Sequence, residues 1–121
     1  MTKIEKFDYG DGFFYEGEVK DGMKKSYGKT TFVDGSTYEG KYENNLMNGW
    51  GIYNYKKGDK FIGNFKNDEL HDGDYYYANG DHFQGSFKNG RPYNGKITYQ
   101  NGLKNSLIDG KYKNPPIKNK E

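Results

Sequence analysis

Residues 68–74, Asp-Glu-Leu-His-Asp-Gly-Asp, set one imidazole, His71, among four carboxylates. Oxygen and nitrogen donors at that density are the raw material of a cation site or of general acid–base chemistry. His82 beside Asp81 repeats the combination in miniature. A solvated polar loop accounts for the first stretch, and His82 has the same plain explanation. Elsewhere no carboxylate pair, no nucleophile beside a base and no phosphate-cradling glycine loop stands in a context that supports a reaction. With no cysteine in the chain, disulfides and thiolate chemistry are excluded, which is compatible with a reducing compartment. The expectation is a protein that is not an enzyme and that needs neither cofactor nor metal.

A binding role has to be built by larger elements, so composition comes next. A length of 121 residues is one domain's worth of chain. Leu, Ile, Val and Phe total only 20 residues and the mean hydropathy is -1.23, values that point toward disorder. Against this stand 18% aromatic residues and a net charge of +2, too small to hold a chain open. A folded but thinly covered protein follows. Lys plus Arg is 19 against 17 for Asp plus Glu, so no positive field invites nucleic acid. The opening MTKIEKF has no apolar core of signal-peptide length and no later run approaches a membrane span, so the expected compartment is the cytoplasm.

The strongest signal is self-similarity. Tyr15-Glu16-Gly17, Tyr38-Glu39-Gly40, Phe61-Ile62-Gly63, Phe83-Gln84-Gly85 and Ile108-Asp109-Gly110 recur at intervals of 22 to 25 residues. A fixed period of this size marks a protein of stacked units, each touching its neighbours. Gly28, Gly51, Gly73 and Gly95 keep a second register, and the stretches VDGS, KKGD, ANGD and QNGL separate short aromatic runs. Strand, tight turn with a positive-φ glycine, strand is the predicted unit.

Alternation along a strand puts Tyr38, Gly40 and Tyr42 on one face and Glu39 and Lys41 on the other. Extended over the repeats, this gathers sixteen aromatic residues on one face and a balanced set of acids and bases on the opposite one. Glycine inside a strand is justified where something approaches the backbone closely, and here the neighbouring rings can lie across a glycine track. The predicted fold is all-β, an elongated single-layer twisted antiparallel sheet of consecutive hairpins.

The unit YEGKYENNLMNGWGIYNYKKGDK, residues 38–60, closely resembles the MORN repeat, with its YxGxW/F start, polar loop, GxG and DG-type turn. The expected repeat region is residues 1–112: a half repeat at 4–14, units starting near 15, 38, 61 and 83, and a closing strand near 108–112. Ser26 departs from the first glycine of GxG, the third and fourth loops are one residue short, and Leu103–Ser106 reads as an insertion. Pro115 and Pro116 would end the sheet, leaving 113–121 as a flexible tail. The resemblance implies a non-catalytic scaffold in a cytoskeletal, ciliary or membrane-linked assembly that grips a helix or extended segment of another protein.

The expected groove is the middle of the ring face: Tyr42, Tyr53, Tyr55, Phe65, Tyr75, Tyr77 and Phe87. An amphipathic helix would lay its apolar stripe there, because a single-layer sheet cannot cover its own apolar face with its turns. The plain alternative is that the rings only pack against one another. On the opposite face Tyr27, Trp50, Ile52, Ile62 and Tyr76 interrupt the charges as a second surface, or as scattered apolar residues. Two further alternatives are anionic lipid head groups, for which Lys24, Lys25, Lys111, Lys113, Lys118 and Lys120 offer charge, and homo-oligomers paired through free strand edges.

Overall fold

The structure is a computed structural model that describes residues 3–114. Pro115, Pro116, Lys118 and Lys120, and with them most of the expected flexible tail, lie outside the described residues. The first strands are β1 (Lys3–Gly10), β2 (Phe13–Lys20), β3 (Met23–Thr31), β4 (Thr37–Glu43), β5 (Leu46–Asn54) and β6 (Lys60–Lys66). They are followed by β7 (Glu69–Tyr76), β8 (His82–Lys88), β9 (Arg91–Thr98), β10 (Lys104–Ile108) and β11 (Lys111–Tyr112). They form one antiparallel sheet whose spatial order is the chain order, and among the described residues there is no helix. The all-β, single-layer hairpin meander read from the repeats is the observed fold.

From β2 onward two turn chemistries alternate across the sheet. On one long border the pairs Asp21-Gly22, Asn44-Asn45, Asn67-Asp68, Asn89-Gly90 and Asp109-Gly110 all have positive φ at both positions, as a two-residue type I′ hairpin demands. Asn and Asp serve beside glycine because their short polar side chains tolerate the left-handed region. On the other border, three-residue loops such as Val33-Asp34-Gly35 are closed by the glycine N–H donating to the Phe32 carbonyl at 2.9 Å. Gly35, Gly58, Gly80 and Gly102 hold φ between +90° and +104° there, the predicted positive-φ turns.

The hairpins need so few turn residues that some expected loops are strand. Asp68 is the only member of the 68–74 stretch in a turn; Glu69–Tyr76 is β7, so the acidic stretch is not a loop. Lys24 and Lys25, the first two of the lysines considered for lipid, sit in β3 and not in a loop. The shortening of the third and fourth units is a change of bulge. Lys25–Tyr27 face Glu18 alone and Asn48–Trp50 face Lys41 alone, whereas only His71 or Tyr93 is left over in the later units. Ser26 (φ +62°) and Gly49 (φ +104°) take equivalent left-handed positions in the wider bulges, which is how serine replaces a glycine.

The fifth unit differs from its expected position. Leu103 closes a turn, accepting from Tyr99 N–H, as Ser36, Asp59 and Asp81 do for Phe32, Tyr55 and Tyr77. Leu103–Ser106 is therefore the regular approach to β10 and not an insertion, while Asp109-Gly110 is a turn. Asn105 then stands in the aromatic position and Leu107 in the glycine position, opposite Gly95. With no ring to shield the backbone, the buried Leu107 side chain takes up the space. Asn105 accepts from the backbone of Asn114 and donates to its carbonyl, latching the last described residues to β10.

The core is a zipper of rings over glycines. Gly17–Gly28, Gly40–Gly51, Gly63–Gly73 and Gly85–Gly95 are directly paired across strands. Over them lie Tyr15, Tyr38, Phe61 and Phe83, the largest fully buried side chains. Tyr15 and Tyr38 donate to the carbonyls of Glu18 and Lys41 at 2.6 and 2.8 Å. Three of these rings meet the next unit edge to face: Tyr15–Tyr42, Tyr38–Phe65 and Phe61–Phe87 have centroids 4.9–5.4 Å apart and planes at 81–88°. Such pairs add about 0.5–1.5 kcal/mol each beyond the area they bury. A thin sheet thus holds together without a second layer.

Candidate partner-binding surface

Beside this buried zipper runs a second row of rings along the border of three-residue loops. Phe13 stacks on Phe32 (6.1 Å between centroids), Phe32 on Tyr53 (5.5 Å), and Tyr53 packs on Tyr55 (4.4 Å). Tyr55 meets Tyr75 (5.7 Å), and Tyr75 meets Tyr77 (4.7 Å). Apart from the buried Tyr75, these rings are half-buried. The two rows differ in what they cover: the zipper rings lie over glycines, whereas the outer ones pack on one another along the loop border.

The seven residues expected to line a groove fall into both rows. Tyr42, Phe65, Tyr75 and Phe87 are 4–9% exposed and belong to the core; Tyr53, Tyr55 and Tyr77 keep accessible faces. Phe13 and Phe32 extend the accessible row and lie outside the expected seven. A signal for them exists, since Phe13 shares the parity of Tyr15, and Phe32 immediately precedes the first of the three-residue turns. A shallow depression between the rows is lined by Phe13, Phe32, Met47 and Tyr53, with Lys24 and Asp68 at its edge.

Burial raises the phenol pKa along the face: Tyr15 and Tyr55 are pushed up to about 12, with Glu18 adding to the effect at Tyr15 and Tyr53 at Tyr55. Tyr38, Tyr42 and Tyr75 are pushed higher still, desolvation being the main cause in each. A phenol whose folded pKa exceeds its unfolded value near 10 adds stability that is complete below pH 10 and is lost as pH rises through the folded value. Stability should therefore be insensitive to tyrosine ionisation up to about pH 10 and collapse above it, with phenolate absorbance at 295 nm appearing later than in the urea-unfolded chain. Phenolate appearance coinciding in the two states would contradict the burial.

Turns on this border are tied to one another. Ser36 Oγ accepts from Lys56 N–H (3.0 Å), an Asp59 oxygen from Ala78 N–H (2.9 Å), and an Asp81 oxygen from Gln100 N–H (2.9 Å). Asp59 also accepts from the Tyr75 hydroxyl at 2.6 Å, with Lys57 Nζ at 3.4 Å. These links hold the accessible rings at a fixed spacing. On the opposite border Asn45 and Asp68 side chains accept from Lys24 and Met47 N–H at 2.8 and 2.7 Å.

On the outer face Trp50 and Ile52 lie on β5, with Ile62 directly opposite Ile52 on β6. Tyr27 is on β3 under the Lys41 ammonium (5.9 Å), and Tyr76 on β7 is stacked on His82 at 4.5 Å. His82 Nε2 bonds Asp74 at 2.8 Å. The second surface is thus a small β5–β6 patch with two separately occupied tyrosines. Among the described residues no group of three His, Cys, Asp or Glu side chains could hold a metal ion. Of the lysines considered for lipid, Lys24 lies 5.5–6.0 Å from the rings of Tyr9, Tyr15 and Tyr42, and Lys25 bonds Glu43 at 2.9 Å. Among the described residues no helix is long and apolar enough to cross a membrane.

The model of the MORN repeat family matches residues 15–37, 38–60 and 83–92. Residues 61–82, between the matched stretches, form the same hairpin pair with Phe61 in the tyrosine position and a one-residue bulge at His71. Comparison with curated proteins finds no match.

Proposed function

Since this is a MORN-repeat protein, a class of non-catalytic module known from protein-interaction and membrane-associated proteins, we propose that its ring face captures a segment of a partner protein. The observation that carries this reading is the accessible row of Phe13, Phe32, Tyr53, Tyr55 and Tyr77, which no other layer covers among the described residues. An amphipathic helix or an extended segment with apolar side chains on one side can lie along it, burying apolar area while the phenol hydroxyls meet polar groups. Tyr42, Phe65, Tyr75 and Phe87 act from beneath, as the floor that keeps the accessible rings in place. A cytoplasmic role in a cytoskeletal, ciliary or membrane-linked assembly belongs to the same proposal. Lipid head groups are the weaker reading, because Lys24 and Lys25 are already engaged with rings and with Glu43.

The test is a pull-down from the source lysate at moderate salt, comparing the wild type with Tyr53→Ala/Tyr55→Ala after circular dichroism shows that the variant is folded. Two hot-spot rings removed should weaken capture by about ten- to a hundredfold. Capture driven by apolar burial should survive added salt. Retention of all bound proteins by the variant, or binding that vanishes with salt and is reproduced by anionic vesicles, would defeat the reading.

A further inference from the structure

The two ends of the sheet are unequal. β11 offers two residues, whereas β1 offers eight, and all but Phe7 are exposed. Among the described residues nothing pairs with the outer edge of β1, and it contains no proline. An edge of this length is a template for another strand, and proteins ordinarily protect such edges with charges that repel a copy of themselves. The charges of β1 do not repel in every register.

Two antiparallel copies of β1 related by a two-fold axis perpendicular to the sheet keep each face on its own side, so two ring faces become one. Directly opposite side chains share a face, so such an axis passes through one residue, which then faces its own copy. An axis at Lys6 sets lysine on lysine, at Glu5 glutamate on glutamate, and at Asp8 aspartate on aspartate. Like charges directly opposite are destabilising. An axis at Phe7 instead sets Phe7 on Phe7, Lys6 on Asp8 twice, and Glu5 on Tyr9 twice. Axes at Ile4 and Tyr9 also avoid like charges, but within the described strand they pair no more than residues 3–5 and 8–10.

The Phe7 register also continues the two faces of the sheet. Phe7 shares the ring face with Tyr15, 6.0 Å away between centroids, and lies at the end of the aromatic row; Lys6 and Asp8 lie on the charged face. Head-to-tail pairing of β1 with β11 is disfavoured because β11 supplies only two residues.

We infer that β1 is an isologous interface through which a second copy of this chain extends the sheet, in the register centred on Phe7 with reciprocal Lys6–Asp8 pairs. This inference is independent of whether the ring face captures a partner.

Its test is sedimentation equilibrium from micromolar to millimolar concentration at low salt. The wild type should approach twice the chain mass of 14.0 kDa. Lys6→Asp and Asp8→Lys should each remain monomeric. Mixing the two should restore a dimer, since each introduced or retained acid of one copy then faces a base of the other, and the double variant Lys6→Asp/Asp8→Lys should dimerise alone. The mixing arm also separates interface effects from the loss of the Lys6 contact with the Phe14 ring, 4.9 Å away. Because the chain has no cysteine, Phe7→Cys should give an interchain disulfide on mild oxidation, and Ile4→Cys should not. A monomeric wild type, single variants that dimerise like it, or cross-linking of the Ile4→Cys variant in place of Phe7→Cys would each overturn the assignment.

Discussion

Gly51→Ala is expected to lower stability by about 3 kcal/mol or more, at the upper end of what an overpacked core costs. The backbone at Gly51 is ordinary, so the effect is steric. An added methyl carbon would lie 2.5 Å from Cε1 of Tyr38, well inside contact distance. Tyr38 has nowhere to retreat: its hydroxyl is bonded to Lys41 and its ring is held edge-on by Tyr42 and Phe65. Urea titration should show a midpoint shift with little change in slope. Tyr38→Ala alone should cost about 3–5 kcal/mol. If the ring and the bare backbone are one unit, the double variant Tyr38→Ala/Gly51→Ala should cost clearly less than the two single losses together. Simple additivity would show that the ring does not roof the glycine.

Asp59→Ala should cost about 2–4 kcal/mol at neutral pH, because it strands the Tyr75 hydroxyl and the Ala78 N–H, both of which donate to its carboxylate. Burial alone would raise the Asp59 pKa, but hydrogen bonds from Tyr75, Ala78 and Lys57 outweigh it and hold the carboxyl below its usual 3.8. A carboxylate depressed in the folded state contributes stability above its unfolded pKa and loses it as pH falls through the folded one. The gap between wild type and variant should therefore be full at pH 5 and above, and narrow below about pH 4, as seen by thermal melts across that range. A gap independent of pH would show that the carboxylate charge plays no part.

Most of the fold is legible in the sequence because each of its rules acts over a few residues. Period-two alternation assigns faces, and the spacing of Tyr15, Tyr38, Phe61 and Phe83 sets the units. Failures occur where two patterns look alike. Ile108-Asp109-Gly110 imitates the aromatic-x-Gly start, yet the true equivalent is Asn105-Ser106-Leu107, where asparagine and leucine have exchanged the roles of ring and glycine. Asp68–Asp74 imitates a polar loop because nothing local announces that Asn67-Asp68 alone makes the turn. The candidate surface is less legible than the fold. Parity puts Tyr53 and Phe65 on the same face, but parity does not give depth: Phe65, beside the Asn67-Asp68 turn, is buried edge-on between Tyr38 and Phe61, while Tyr53, directly opposite those same two rings, keeps an accessible face.

The strictly sequential strand order has a consequence for how the molecule comes apart. Every strand is hydrogen-bonded only to the strand before or after it in the chain, so no long loop has to be closed before the sheet gains stability, and assembly can start at any hairpin and spread. Cooperativity then resides in the links from one unit to the next, carried by ring pairs such as Tyr38–Phe65 and Phe61–Phe87. Interior units are buttressed on both sides and terminal ones on a single side, so melting proceeds as fraying from the ends inward, with the Tyr38–Phe65 region the last to let go.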